Sequence, residues 1–503
     1  MDLLRFRCAR IPAPSPANAA LDTFRFGSQF NLVMQTEAKR PLAISAKLWP
    51  IVLVCLWPVF YLPARADLWV TGYYPGWEQS AMPASNIDFS VVTHVIHSLV
   101  TVNPDGSLDA AANGVTVVNS ANLVSLAHAA GRKVLICVGG AVTNAGSEAS
   151  FLGATSSTNL PTFISNLTNF MAARAYDGVD IDWEPFYSSD IPQFTNFVNA
   201  LRSALTPFQP AKLLTAAVGA YPPYGDSPTA QYTMFAAVQN QFDQLNIMTY
   251  DLAGPWPGWV TWFNSPIFDG GYHLPPFGPL VTSVDGAVGN YVSNGVAPGK
   301  LGIGMAFYGY VWTGGSGVWL PRQSWLANNV PTAAQQSYQA IMSGYYQANL
   351  YHWDTNAQAA YLSLTNAVPT NDVFISYDDQ HTCQAKISYA RNQKLGGVMI
   401  WELAQDYFAT QPAGQRHPLL QSIKQGLSTP AFTGIQFGGQ QVTLDFVGLP
   451  LGSYCVQWTS NLPAGSWNTL VVTSTPATGS VLQISDPVAS GERQRFYRVE
   501  TPP

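Results

Sequence analysis

Four acidic residues punctuate the apolar run 176–184, which reads YDGVDIDWE. Side chains alternate between the two faces of a β-strand, so Asp180, Asp182 and Glu184 are predicted to share one face. Like charges crowded together raise the pKa of at least one carboxyl group and keep a proton on it near neutral pH. A protonated carboxyl group at neutral pH is what a general acid requires, so this strand is a candidate catalytic centre.

The alternative interpretation of this run is a solvated acidic strand at the edge of a sheet. The apolar residues that alternate with the carboxylates, Val179, Ile181 and Trp183, argue against it because they suit a strand buried in a core. Asp177 faces differently from the other three acidic residues. We therefore expect Asp177 to be structural, bonding backbone where the strand begins.

The elements that must position this strand follow a repeating pattern. From residue 67, short apolar runs rich in β-branched residues alternate with longer stretches of helical spacing, which indicates βα units and a parallel sheet. Strands are predicted at 69–74, 91–100, 133–139, 178–184, 213–220, 244–250, 301–308 and 397–401. Helices predicted between them include 120–130, 160–174, 191–205, 284–293 and 383–393.

This alternation predicts an α/β fold, a (β/α)8 TIM barrel over residues 67–427. In such a barrel functional residues gather at the carboxyl ends of the strands, and the acidic run ends the fourth strand at that face. Two excursions interrupt the pattern, at 253–282 after the sixth strand and at 312–372 between the seventh and the eighth. Long excursions at the catalytic face usually build the walls of a cleft.

The character of the chain changes after the Ser-Thr-Pro segment 428–430. Residues 431–503 contain alternating apolar and polar residues with Pro, Gly and Asn turns and no convincing helix. We predict a small all-β sandwich domain that follows the barrel. Trp458 and Trp467 in this module could bind polysaccharide or fill its core, and the core is the favoured interpretation.

Residues 1–66 are predicted to lie outside the folded domains. Three basic residues between 39 and 47 precede the apolar run 48–62, and small residues at 64–66 suit cleavage by signal peptidase before Asp67. The run is shorter than the roughly 20 residues that a spanning helix needs, so a secretory signal is favoured over an uncleaved anchor. We expect a secreted protein, extracellular or periplasmic, that is not inserted in a membrane after cleavage. Because 66 residues is long for a signal peptide, Met34 is the expected true start.

The amino-acid composition indicates which class of ligand the protein binds. Charged residues make up 10% of the chain, against roughly 25% in an average soluble domain, and the formal charge is -6 without a basic run. This pattern offers no electrostatic footprint for nucleic acid. Aromatic residues make up 13% of the chain, which suits stacking on the flat apolar faces of a neutral ligand such as a sugar.

The cysteines favour neither a disulfide framework nor a metal site. They lie at positions 8, 55, 137, 383 and 455, without a CxxC pair and without histidines at metal-ligand spacing. We expect no metal, no cofactor and a monomeric protein.

The segment 177–184 fits the signature DGxDxDxE and resembles the family 18 glycoside hydrolases, the chitinase family. Further segments are similar to this family in its own order, and the resemblance covers roughly 67–425. These segments are Gly72-Tyr73-Tyr74, Gly139-Gly140, Met248-Thr249-Tyr250-Asp251, Leu252-Ala253-Gly254-Pro255-Trp256, Phe307-Tyr308-Gly309 and Gly396-Gly397-Val398-Met399-Ile400-Trp401-Glu402.

The resemblance implies a substrate-assisted mechanism, in which the carbonyl oxygen of the substrate's own 2-acetamido group attacks the anomeric carbon. Water then opens the oxazolinium-type intermediate with net retention. Glu184 is implied to protonate the leaving glycosidic oxygen and then to deprotonate the water. Asp182 is implied to stabilise the acetamido nitrogen, Asp180 to share a proton with Asp182 in the resting site, and Tyr250 to donate to the acetamido oxygen.

The resemblance also implies residues that bind the substrate. Asp251 and Tyr73 are expected to add hydrogen bonds, and Met248 to line the same site. Trp401 is expected to form the apolar floor beneath the sugar, and Trp256 a stacking platform on the leaving-group side. For each aromatic residue the alternative is packing within the barrel.

Several positions depart from the family pattern. In the third-strand segment 137–140, Cys137 replaces the hydroxyl residue that usually supports the inner aspartate, and a thiol is a weaker hydrogen-bond partner. Ala141 stands where Trp is common, and Pro185 stands where Tyr is frequent. The stretch between the seventh and eighth strands is shorter than the α+β insertion of deep-cleft chitinases, so we expect a shallower groove.

The leading hypothesis is a secreted hydrolase that cleaves β-1,4-N-acetylglucosamine linkages in chitin or chitooligosaccharides. Within the same chemistry, an endo-β-N-acetylglucosaminidase or a peptidoglycan hydrolase stays open. A different class is a non-catalytic chitin-binding lectin on the same barrel, although such proteins typically lack the terminal acid and Glu184 is present. In a third hypothesis, the C-terminal module sets the biological role by anchoring or targeting.

Overall fold

The computed structural model describes residues 23–26, 30–33, 68–141, 147–256, 258–274, 278–323, 330–427, 432–438, 441–448, 453–460, 466–474, 480–487 and 495–500. The expected start at Met34, the signal segment and the cleavage site before Asp67 lie outside these residues. Before Met34, the strand Thr23–Phe26 pairs antiparallel with the strand Phe30–Val33. These strands, whose Phe, Thr and Val residues favour the extended backbone, belong to the segment 1–66, and its place outside the folded domains stays a prediction.

Eight parallel strands form a closed barrel, which confirms the predicted fold class. They are β1 Trp69–Pro75, β2 His94–Val102, β3 Lys133–Gly139, β4 Gly178–Asp182, β5 Leu213–Gly219, β6 Gln244–Met248, β7 Leu301–Ala306 and β8 Gly397–Trp401. Each strand pairs with the next one in the chain, and β8 pairs with β1 to close the barrel. The carboxyl ends of all eight strands therefore meet at one face.

The helices of the described residues lie in the chain between the strands of the barrel or after the last strand. They are α1 Val117–Ala129, α2 Ser147–Ala154, α3 Leu160–Ala173, α4 Ile191–Leu205, α5 Ala230–Val238, α6 Val284–Ser293, α7 Tyr338–Gly344, α8 Gln380–Asn392 and α9 Pro418–Leu427. The five predicted helices are present, whereas α2, α5, α7 and α9 were not predicted. In the described parts of the chain, none of the helices is both long enough and apolar enough to cross a bilayer.

The alternation predicted for the acidic strand is confirmed within β4. Asp180 and Asp182 are buried inside the barrel, whereas Val179, Ile181 and Trp183 belong to the core between the strands and the helices. The strand ends at Asp182, two residues before its predicted end. The carboxylates of β4 therefore occupy successive levels of the barrel interior.

Between β7 and β8 the chain folds as a five-stranded antiparallel sheet with α7, over residues 308–377, which we call the insertion. Its strands are Tyr308–Gly314, Pro331–Ser337, Tyr351–Asp354, Ala359–Leu364 and Val373–Tyr377. The expectation that this stretch is shorter than the α+β insertion of deep-cleft chitinases, and with it the expected shallow groove, stays a prediction.

The insertion packs on the excursion that follows β6. Trp262 and Phe263 of that excursion are fully buried in one cluster with Trp312 and Phe374 of the insertion. This second core is separate from the barrel interior and holds the two excursions together. Aromatic residues that suggested sugar stacking from composition are thus largely structural here.

The chain divides into two compact units, one of which comprises residues 66–427 and the other includes residues 428–503. The C-terminal module consists of two antiparallel three-stranded sheets around an apolar core. Their strands are Phe432–Gly438, Gln441–Gly448, Ser453–Thr459, Asn468–Ser474, Ser480–Pro487 and Phe496–Glu500. Trp458 packs against this core and under Arg495, and Trp467 lies under Arg498.

Candidate active site

Three donors from three strands surround the carboxylate of Asp180 inside the barrel. The hydroxyl of Tyr73 donates to Oδ2 at 2.7 Å and that of Thr215 donates to Oδ1 at 2.5 Å, while the Cys137 thiol forms a third hydrogen bond. Burial raises the pKa of Asp180 to about 6, and the donors hold it below what burial alone would give. Thr215 was not among the predicted residues, although it lies beside Asp180 in the register of β4 and β5.

Asp182 hydrogen-bonds Glu184, and its Oδ1 atom has no partner among the described residues. Burial and the neighbouring charges of Glu184 and Asp180 raise the pKa of Asp182 well above its usual range. Burial therefore raises the pKa of both members of this hydrogen-bonded pair. The expectation that Asp180 and Asp182 share a proton in the resting site stays a prediction.

Glycines of the third strand allow the chain to approach the acidic pair closely. The backbone N–H of Gly140 donates to the Asp182 carbonyl oxygen at 2.7 Å. A Cβ atom at Gly139 would lie 1.9 Å from the same oxygen, and Gly139 has a φ of +119°. Only glycine is compatible with both conditions.

Glu184 follows the end of β4 and is half-buried at the carboxyl face of the barrel. Burial raises its pKa, the hydrogen bond from Asp182 lowers it, and the backbone N–H of Ala141 also donates to the carboxylate. Ala141 thus contributes a backbone donor at the position where its small side chain departs from the family pattern. The net rise in pKa favours a protonated Glu184 at a more neutral pH than a solvated glutamate allows.

Tyr250 lies beside the acidic residues and keeps its hydroxyl proton. Burial and the nearby charge of Asp182 raise its pKa well above the usual range. Its ring packs on Gly304, where a Cβ atom would lie 2.7 Å from the ring. The hydroxyl contacts Met399 Sδ at 3.5 Å, a weak partner that a better acceptor could replace.

Asp251 follows Tyr250 with a φ of +54°, a backbone conformation uncommon for residues other than glycine. Its backbone N–H donates to Asn264 Oδ1 at 2.8 Å. Its carboxylate Oδ1 accepts from the hydroxyls of Tyr308 and Tyr310 at 2.6 Å and 2.9 Å. These three partners were not predicted as site residues, since only Tyr308 belongs to a family-like segment.

The predicted aromatic residues occupy different surroundings. Trp401 is partly exposed, and its ring centroid lies 5.4 Å from that of Tyr73, whose hydroxyl contacts Asp180. Met248 is partly buried against the same cluster of barrel-interior side chains. Trp256 is 46% exposed on the excursion after β6 and contacts Trp259 at a centroid distance of 5.3 Å.

Asp177 lies apart from this group, at the amino end of β4. Its Oδ2 accepts from the backbone N–H of Val134 at 2.9 Å and from His128 at 2.7 Å, and Lys133 lies 3.1 Å from Oδ1. Although burial opposes it, these partners lower the pKa of Asp177. The expected structural role, bonding backbone at the start of the strand, is confirmed.

Known proteins are similar to this chain over the barrel. The sequence profile described as glycosyl hydrolases family 18 matches residues 70–406. The chain is 26% identical over 372 residues to Chitinase 1 of Aphanocladium album, covering 66% of this chain and 78% of that protein. It is 30% identical over 297 residues to Chitinase A1 of Niallia circulans, covering 54% of this chain and 40% of that protein. The structure of the Group IV chitinase of Ostrinia furnacalis matches with a TM-score of 0.59 at 24% identity, covering 72% of this chain and 100% of that one.

Proposed function

The chain belongs to the glycosyl hydrolases family 18, and from this membership we propose that it hydrolyses β-1,4-linked N-acetylglucosamine in chitin or chitooligosaccharides. The proposed reaction is substrate-assisted and retains the anomeric configuration. The observation that carries the proposal is the hydrogen-bonded Asp182–Glu184 pair at the mouth of the barrel, where burial raises the pKa of both carboxyl groups.

In the first step, Glu184 gives its proton to the glycosidic oxygen as the bond to the anomeric carbon breaks. The carbonyl oxygen of the substrate's own acetamido group bonds to that carbon, and Glu184 is left as a carboxylate. In the second step Glu184 takes a proton from water. The water oxygen bonds to the anomeric carbon on the face that the leaving group occupied, and the bond between this carbon and the acetamido oxygen breaks. A single residue can serve as acid and then as base because its pKa is raised towards neutral pH.

Asp182 and Tyr250 are proposed to hold the acetamido group. Asp182 Oδ1 is a buried acceptor without a partner, which suits the acetamido N–H and the positive charge that develops on the nitrogen. Tyr250 retains its proton and can donate to the acetamido oxygen, which aligns this oxygen for attack. Asp180, surrounded by three donors, is proposed to stay beneath Asp182 as a fixed negative charge.

The remaining predicted residues are proposed to bind the sugars. Trp401, above Tyr73, offers an apolar face beneath the sugar at the cleavage point. Asp251 and Met248 lie at the carboxyl end of β6 beside it, and the exposed ring of Trp256 suits stacking on the leaving-group side. Secretion and action as a monomer complete the proposal.

Replacement of the proposed acid tests this assignment. Glu184→Gln keeps the shape of the side chain but cannot transfer the proton, so hydrolysis of acetylated chitooligosaccharides should fall at least about a hundredfold. Binding of the same oligosaccharides, measured by titration calorimetry, should remain. Glu148→Gln, at a carboxyl group in the first turn of α2, is the matched control. Near-normal turnover by Glu184→Gln would mean that another group is the acid.

A further inference from the structure

Two hydroxyl groups of the insertion converge on one oxygen of Asp251. Tyr308 and Tyr310 both belong to the first strand of the insertion, and both donate to Oδ1, at 2.6 Å and 2.9 Å. Asp251 itself lies between the end of β6 and the excursion that follows it. The contact therefore joins two segments that are far apart in the chain directly at a proposed substrate-binding residue.

The backbone of Asp251, like its carboxylate, is held by a hydrogen bond. A positive φ in a residue other than glycine persists where its surroundings support it, and here the Asn264 side chain accepts from the Asp251 N–H at 2.8 Å. Among the described residues, no ion pair includes Asp251. Burial raises the pKa of Asp251, and the two neutral hydroxyl donors to Oδ1 lower it. Its Oδ2 atom remains for a hydroxyl or N–H group of a sugar.

The tyrosine hydroxyls are themselves fixed by packing. Tyr308 is 1% exposed, and its ring lies edge-on to Tyr250 at a centroid distance of 5.9 Å. Tyr310 is half-buried, lies 6.1 Å from the Tyr308 ring, and packs against both the barrel-interior cluster and the core between the two excursions. Neither ring can swing away without opening these contacts.

We propose that Tyr308 and Tyr310 are positioning residues that hold Asp251 in the orientation that binds the substrate. The insertion is then a working part of the active site and not only a wall of the cleft. Tyr308 and Tyr310 act through Asp251 and need not touch the sugar. This inference rests on the proposed function, since it assigns Asp251 a contact with the substrate.

A double-mutant cycle tests whether Tyr310 acts through Asp251. Removing one hydrogen bond in Tyr310→Phe should lower kcat/KM for an acetylated chitooligosaccharide about two- to tenfold. Asp251→Ala, which removes the acceptor, should lower it as well, and Tyr310→Phe added to Asp251→Ala should cost nothing further, because the second change removes a hydrogen bond that is already lost. Tyr361→Phe removes a hydroxyl from the same sheet, on a ring that packs against Phe263 and Phe374, and should leave kcat/KM unchanged.

Losses that multiply in the double variant, or an unchanged Tyr310→Phe enzyme, would overturn the inference. If chemical denaturation shows that Tyr310→Phe is unfolded, the same cycle with Tyr308→Phe decides the question. A wild-type protein that binds acetylated chitooligosaccharides without cleaving them would contradict the proposed function alone. In that case the cycle is run on the dissociation constant, and additivity there would still overturn the inference.

Discussion

At the scale of single residues, the site separates three carboxyl groups by their surroundings. Asp180 is surrounded by three donors and lies deepest, Asp182 hydrogen-bonds Glu184, and Glu184 is half-buried at the mouth. Groups of the same chemistry thus acquire different proton affinities from burial and hydrogen bonding. In the proposed mechanism this separation lets Asp180 stay charged while Glu184 moves a proton.

The Cys137 thiol is expected to tune the pH dependence of the enzyme. In the proposed mechanism Asp180, which faces Tyr73, Thr215, Cys137 and the carboxyl group of Asp182, is ionised, so its pKa of about 6 should set the acidic limb of the kcat/KM profile. A serine donates more strongly to a carboxylate than a thiol does, and an alanine does not donate. Cys137→Ser should therefore move the limb to lower pH and Cys137→Ala to higher pH, each by about half to one pH unit.

The profiles are measured with a soluble acetylated oligosaccharide. Cys383→Ser is the control, because this buried thiol lies outside the barrel interior, in the core beside α8. Limbs that move in the same direction in both Cys137 variants would contradict the assignment of Asp180.

At the scale of elements, the sequence was sufficient to predict the features that depend on the local periodicity of apolar and polar residues. The two-residue period of a strand determines that Asp180 and Asp182 face the interior while Trp183 faces the helices, whatever the strand pairs with. The barrel was predicted from the alternation of strand patterns and helix patterns along the chain. The segment Gly139-Gly140 was singled out by its resemblance to the family.

Contacts between distant elements could not be predicted in this way. Thr215 lies 35 residues from Asp180, and Tyr310 lies 59 residues from Asp251, so each contact depends on strand register or on how an excursion packs. For the insertion, no strands were predicted from the sequence but only its length, as shorter than the α+β insertion of deep-cleft chitinases. Its antiparallel pairing depends on long-range partners that no local pattern reveals.

A buried ion pair is expected to hold these elements together. Lys386 of α8 lies 2.5 Å from Asp378, at the end of the insertion, and donates to Ser265 of the excursion after β6 at 2.5 Å. Both charged side chains are almost completely buried. Lys386→Met should lower the free energy of unfolding by about 3–5 kcal/mol, since it leaves the Asp378 carboxylate buried without a counter-charge.

Chemical denaturation followed by tryptophan fluorescence measures this loss. Lys424→Met, at an exposed lysine of α9 that lies 3.9 Å from Asp88, is the control and should cost at most about 1 kcal/mol. The double change Lys386→Met with Asp378→Leu should recover part of the stability, because no charge is then left buried. Equal small effects of the Lys386 and Lys424 changes would show that the pair is not a structural link.

At the scale of the whole molecule, the described residues place the candidate site entirely within the unit 66–427. The residues proposed for the mechanism all belong to this unit, and a role of the C-terminal module in anchoring or targeting stays a prediction.

The most direct test of substrate assistance follows the products of hydrolysis at early times by NMR. The purified protein is given fully acetylated and fully deacetylated chitooligosaccharides under the same conditions. We predict cleavage of the acetylated substrate only, with the β-anomer of the new reducing end formed first. The α-anomer as the first product, or equal cleavage of the deacetylated substrate, would contradict the account, because the acetamido group would then not be the nucleophile.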